Sequence, residues 1–178
     1  MGTYLLPALA LGVERPEPDI MKKPPRSMEE RLLNLPTLAR ASGFLGPIKV
    51  LTGMVGYFWV LIHSSWHWGE ILNYYDPVYQ KATTMCLLAI VVTQIANDFV
   101  CRGAKESILN LGFFSNRLLL LGVGCEIVLG IAFVYFPPLQ SILNTRALGI
   151  NDWFLLIPFP LFLFLAEEVR KKVSSTKI

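Results

Sequence analysis

Four apolar stretches, each close to the length of a membrane crossing, constrain this chain more than any motif in it. They run Phe44–Ile62, Thr83–Val100, Leu118–Phe136 and Trp153–Ala166, the last extended by Ile150 before it and Val169 after it. A hydrocarbon core of about 30 Å takes about 20 residues of helix to cross, and only helices and closed barrels satisfy their backbone hydrogen bonds there. The expected fold class is therefore an all-α membrane protein with four full transmembrane helices. Composition agrees: 53% of residues are hydrophobic, 16% are charged and the mean hydropathy is +0.50. A net charge of +3, spread in short blocks between the apolar runs, is no footprint for nucleic acid.

The punctuation divides the chain into residues 1–13, a partial N-terminal helix; 14–43, a loop rich in Pro, Lys and Arg; 44–169, the membrane domain with spans at about 44–62, 83–101, 118–136 and 151–169; and 170–178, a tail. Ala8-x-Ala10 has the form of a signal-peptidase site, but no basic region precedes it and Pro7 interrupts the apolar run, so the segment reads as a helix stub. Arg15–Arg26 has the density of proline and charge expected of an extended loop, followed by a short helical Met28–Leu33. Pro137-Pro138 ends the third span, since neither residue can continue a helix.

Lysine and arginine set the expected orientation. Arg15, Lys22, Lys23, Arg26, Arg31 and Arg40 precede the first span, Arg102, Lys105 and Arg117 lie between the second and third, and Arg170, Lys171, Lys172 and Lys177 follow the fourth. These regions alternate so as to share one face, which the positive-inside rule makes cytoplasmic together with the C-terminus. On the opposite face only Lys81 and Arg146 are basic, while Trp59, Trp66, Trp68, Tyr74, Tyr75, Tyr79, Tyr135 and Trp153 form an aromatic belt.

Inside the spans, polar residues are the candidates for function, because an acid at mid-membrane costs about 2.5–3.5 kcal/mol on insertion scales. Gln94, Asn97 and Asp98 sit in the second span and Glu126 in the third. Glu126 reads either as an acid on a transport path or as a structural, hydrogen-bonded one. Asp98, four residues before Arg102, is explained by an i,i+4 ion pair. Lys49 is placed to snorkel to the interface. His63 and His67 lack a third ligand and read as an interfacial pair, not a metal site. Gly53 with Gly56, and Gly122 with Gly124, suit close helix packing. Cys86, Cys101 and Cys125 lack CxxC spacing and read as buried thiols. Glu167 and Glu168, beside Arg170–Lys172, read as a solvated helix end.

Further residues carry a resemblance. Thr3-x-x-x-Pro7-Ala8-Leu9-Ala10-Leu11-Gly12 and Glu17-x-Asp19-Ile20-Met21-Lys22-x-Pro24-Pro25-Arg26 resemble the sixth transmembrane helix and following loop of type II P-type cation ATPases. Gln94-x-Ala96, Cys101-Arg102, Phe114-x-Asn116-Arg117, Glu126 and Glu167–Lys171 resemble helices eight to ten of the same pumps, most like the sodium/potassium and proton branch. The resemblance implies a partial helix six followed by helices seven to ten, with Glu126 and Asn97 at ion-linked positions and Pro7 exposing backbone carbonyls to the ion. It also implies that Tyr4 stands where the family's Thr-Asp-x-x-Pro has its acid, a neutral hydroxyl replacing a carboxylate. The complete pumps of the family use ATP and Mg. The Asp-Lys-Thr-Gly-Thr phosphorylation motif is not in this sequence, so the isolated chain is expected to lack ATPase activity and to have no cofactor of its own. Its expected partners are the plasma-membrane lipid bilayer and the N-terminal part of such a pump. A stand-alone regulatory or assembly protein, and one half of a split pump, are the alternatives.

Overall fold

A computed structural model describes residues 5–14, 35–103 and 112–175. Tyr4, the Arg15–Arg26 stretch and Met28–Leu33 lie outside the described residues. The described chain is helical throughout, without strands: α1 Leu5–Gly12, α2 Leu35–Arg40, α3 Gly46–Ile62, α4 Pro77–Val100, α5 Arg117–Tyr135, α6 Pro137–Leu143, α7 Ile150–Leu156 and α8 Pro158–Ser175. By length and apolarity four stretches can cross a membrane: Thr37–Ile62, Pro77–Val100, Arg117–Tyr135 and Ile150–Val173.

Local chemistry explains the boundaries. The first span is helical from Leu35 rather than Phe44, because α2 runs through a π-helical turn, Ala41–Leu45, into α3. The wide turn ends next to Pro47, whose missing N–H removes one α-helical bond; a π-bulge takes up that mismatch without ending the helix. The second span begins at Pro77 rather than Thr83, since Asp76 accepts a 2.7 Å hydrogen bond from the Val78 N–H and proline fits the first helical position. Asn116 starts α5 in the same way, accepting from the Leu119 N–H at 2.9 Å. The fourth span is broken at Ile157, where Pro158 separates α7 from α8. After the third span Pro137-Pro138 begins the short helix α6, which stops at Asn144 in the left-handed conformation (φ 54°).

Helix α4 is the centre of the bundle. Half of its spanning window is buried, against 28% for α7–α8. Helix α3 packs antiparallel to it through Gly53 and Gly56: a Cβ on Gly53 would sit 3.2 Å from Cys86 Sγ, and one on Gly56 would sit 3.3 Å from Ala89 Cβ. Gly122 of α5 lets α1 approach equally closely, since its Cβ would come within 2.9 Å of the Pro7 backbone nitrogen. Among the described residues Gly124 has no such neighbour within 4 Å. Small residues at these crossings are what lipid-embedded helices need, because association there rests on close contact and not on a hydrophobic difference.

The two ends of the bundle are built differently. At the aromatic end, Val60, Leu61, Met85, Leu88, Val134, Leu156 and Phe159 form one cluster drawn from α3, α4, α5, α7 and α8. Polar stitches close it: Gln80 Nε2 donates to Asn144 Oδ1 at 2.6 Å, and the Arg146 N–H to Thr84 Oγ1 at 2.9 Å. The opposite, basic end has two smaller apolar clusters, Leu45, Ile48, Ala96, Val100 and Leu163 on one side of α4 and Ala10, Leu119 and Val123 on the other.

Candidate ion-pathway cluster

Side chains from α3 and α4 meet first through hydroxyls and then, a turn nearer the basic end, through charge. Thr52 and Thr93 oxygens lie 3.2 Å apart, each anchored to its own helix by a backbone carbonyl, Lys49 and Ala89 respectively. Beyond them the Lys49 ammonium donates to Gln94 Oε1. The Gln94 amide then donates to Asp98 Oδ1 at 2.9 Å. Lys49 thus turns into the bundle and does not snorkel, because the Gln94 carbonyl across the α3–α4 contact offers a nearer partner than the interface. Glu126, on α5, has no solvent exposure, and it, Lys49 and Asp98 all lie within electrostatic reach of one another. Both Glu126 carboxyl oxygens and Asp98 Oδ2 are buried without a hydrogen-bond partner among the described residues.

Not every sequence candidate joins this cluster. Asn97 is half-buried on another face of α4, and its oxygen accepts from Cys101 Sγ at 3.7 Å. Pro7 is buried against Gly122 of α5, so its ring serves the α1–α5 crossing. The Asp98–Arg102 pair is replaced. α4 ends at Val100, which takes Arg102 off the helical register, and its guanidinium clamps Glu14 with contacts of 2.8 and 3.1 Å. The same guanidinium donates to the Gly112 carbonyl at 2.7 Å and to Ser115, while Asn116 donates to Glu14 and to the Ala10 carbonyl. Arg102 therefore ties the end of α1 to the start of α5.

Glu167 and Glu168 are not a solvated helix end: they are 0% and 9% exposed. Glu167 accepts from Arg170 at 2.7 and 2.8 Å and from Arg40 of α2, and Lys171 reaches the Val100 carbonyl at 3.0 Å. The cysteines differ from expectation as well, with Cys101 exposed and Cys86 and Cys125 half-buried. His63 Nδ1 lies 2.9 Å from the Trp59 carbonyl, its ring 3.9 Å from the Trp59 ring centroid. The i,i+3 spacing of Glu167 and Arg170 was a readable signal for one of these contacts. Arg40 and Glu14, 127 and 88 residues from their partners, carried none. No three of His, Cys, Asp and Glu come together among the described residues.

An antiparallel bundle of apolar helices, four of its stretches long enough to cross a membrane, defines a multi-pass membrane segment. The family profile described as "Cation transporting ATPase, C-terminus" matches residues 1–173, and the chain belongs to that family, as its sequence resemblance implied. It is 28% identical to the sodium/potassium-transporting ATPase subunit alpha-4 of Rattus norvegicus over 97% of this chain and 19% of that protein. It is 32% identical to calcium-transporting ATPase 1 of Yarrowia lipolytica, and 30% to that of Saccharomyces cerevisiae, over 93% of this chain and 16% of each. The chain thus spans less than a fifth of the length of these relatives.

Proposed function

We propose that this chain acts as the C-terminal membrane segment of a cation pump, packing the pump's helices and supplying part of its ion path through Gln94, Asp98 and Glu126. Asn97 and Tyr4 are lesser members, Asn97 lying on the neighbouring face of α4 and Tyr4 at the position of a family acid. The observation that carries this reading is the pair of buried acids on α4 and α5 whose oxygens lack hydrogen-bond partners among the described residues. A purely structural acid is satisfied when buried, since an unmade hydrogen bond to a charged group costs more than a neutral one. Pro7 shapes the α1–α5 crossing next to this path.

Phosphorylation and nucleotide binding belong, in this reading, to another part of the pump, which is also the chain's protein partner; ATP and Mg serve there. The basic end, with residues 14–43 and the 170–178 tail, faces the cytoplasm of a plasma membrane, and 44–169 forms the membrane domain. The concentration of Arg40, Arg102, Arg117, Arg170, Lys171 and Lys172 at one end supports that orientation.

The test has two arms. Purified chain in proteoliposomes should neither hydrolyse ATP nor form an acid-stable phosphoenzyme, and detection of either overturns the non-catalytic assignment. Residues 1–173 grafted in place of the matching stretch of the Saccharomyces pump should support ATP-driven cation uptake, with E126Q weakening apparent cation affinity about tenfold at unchanged abundance, about 1.4 kcal/mol of lost interaction. Unchanged affinity in E126Q removes Glu126 from the path.

A further inference from the structure

We propose that the ring-lined cavity at the aromatic end, between α3, the loop after it and the start of α4, binds a quaternary ammonium group, the headgroup of a choline-type lipid in the leaflet at that end. The site uses none of the ion-path residues, so it stands or falls apart from that reading.

The cavity has a volume of about 440 Å³, and rings make most of its wall. Tyr57 and Phe58 meet edge to face at 5.6 Å, Phe58 stacks with Trp68 at 6.3 Å, and Trp68 meets Trp66 edge to face at 5.4 Å. Tyr79 adds a ring from α4. The charged side chain in the lining is Glu70, and among the described residues no lysine or arginine lines the cavity with it. Local bonds fix Glu70 in place. Its carbonyl accepts from the Trp66 indole N–H at 3.0 Å, and its Oε2 accepts from the His67 backbone N–H at 3.1 Å. Gly69 makes the turn between them at φ 95°, a conformation open to glycine. No base of the chain pairs with the Glu70 carboxylate among the described residues.

Rings and one carboxylate select among cations by hydration. The faces of the rings are negative and attract a cation, but they offer no lone pairs in place of lost water. A hard metal ion or a lysine-type ammonium holds its water tightly and gains little by trading it for rings. A quaternary ammonium has no N–H to satisfy and presents methyl groups to the aromatic wall, while the carboxylate supplies the countercharge. Depth decides between a lipid and a soluble ligand. Tyr57 and Phe58 lie within the first span, which ends at Ile62, whereas Trp68 and Glu70 lie in the loop beyond it. The cavity thus straddles the level where hydrocarbon gives way to water, which is where a lipid carries its headgroup. The pairing of rings with an acid is particular to this place at the aromatic end: Tyr75 lines a separate cavity whose charged residue is Arg146.

The experiment places the full chain in phosphatidylglycerol nanodiscs containing a rising fraction of phosphatidylcholine, and counts the lipid retained on the protein by native mass spectrometry. A parallel series carries the same lipid with 3,3-dimethylbutyl in place of choline, equal in shape but without the cationic charge. Wild type should retain the choline lipid saturably, with about tenfold preference over the isostere. E70Q and W68L should each lower that preference by about threefold or more, and E70D should keep most of it. Glu70 and Trp68 are exposed, Trp68 by 84%, so both variants keep the fold and the loss reads recognition. Equal retention of choline lipid and isostere by wild type, or E70Q and W68L both retaining the choline lipid as wild type does, overturns the proposal. Free choline chloride should not displace the lipid. Displacement by choline at concentrations equal to the lipid's, or stronger displacement by an arginine-rich peptide, would assign the cavity to a soluble ammonium or to a protein partner and equally overturn it.

Discussion

The two ends of the bundle solve the same packing problem with different proportions of apolar contact and charge. At the aromatic end, rings and aliphatic side chains from five helices share one cluster, closed by neutral hydrogen bonds such as Gln80–Asn144 and Arg146 N–H to Thr84 and, among the described residues, by a single ion pair, Lys81 to the buried Asp152 at 2.8 Å. At the basic end the apolar clusters are small and separate, and ion pairs with one buried partner lie between the helices: the buried Arg102 with Glu14, and half-buried Arg40 and Arg170 with the buried Glu167. Apolar contact stabilises in small increments spread over many atoms, so its loss scales with how deeply a side chain is buried and is small for an exposed ring. A buried ion pair concentrates its contribution in a few oxygens and nitrogens, so loss of either partner strands a charge. The basic end should accordingly be the more fragile to single substitutions.

R102M should be the largest of these losses. It removes the clamp on Glu14 together with the donors to Gly112 and Ser115, and should destabilise the chain by about 3–5 kcal/mol, read as the unfolding midpoint in a mixed-micelle denaturation series. R102M/E14Q should recover part of that loss; if it does not, Arg102 acts by packing and the contrast between the ends is weaker than stated. G56L tests the opposite half, where the new side chain meets Ala89 and the Met85 carbonyl of α4; it should cost about 1–3 kcal/mol by overpacking and loosen α3 from α4, which crosslinking between the two helices would register. D76A removes the α4 cap and should cost about 1 kcal/mol. Smallest of all, W68A should shift the midpoint by under about 0.5 kcal/mol, since Trp68 is 84% exposed and its ring contacts lie in the outer layer of the aromatic end. A loss from W68A comparable to that from R102M would erase the distinction between the ends.

Much of this could be read before any coordinates. The spans, the aromatic belt, the Gly53–Gly56 crossing and the family all follow from composition, spacing and motif. Boundaries were legible only in part: Pro137-Pro138 announced the end of the third span, whereas the π turn before Pro47 and the Asp76 cap extended two helices beyond their apolar runs. The candidate site was legible as a set of costly residues but not as an arrangement. Gln94, Asp98 and Glu126 were visible as polar groups in apolar runs, yet Lys49 looked like an interfacial lysine and Asp98 like the partner of Arg102.

The sequence by itself determined that this chain crosses a membrane in helices, because lipid punishes every unsatisfied backbone and charged group and so stamps the pattern residue by residue, while its motifs alone carried the resemblance to the cation pumps. Only the tertiary structure decided which charges meet. Lys49 and Gln94 are 45 residues apart, Glu14 and Arg102 88, Arg40 and Glu167 127. Pairing across such separations depends on how helices rotate and cross, and that is set by the packing of small residues at their contacts, not by the local periodicity that placed the helices.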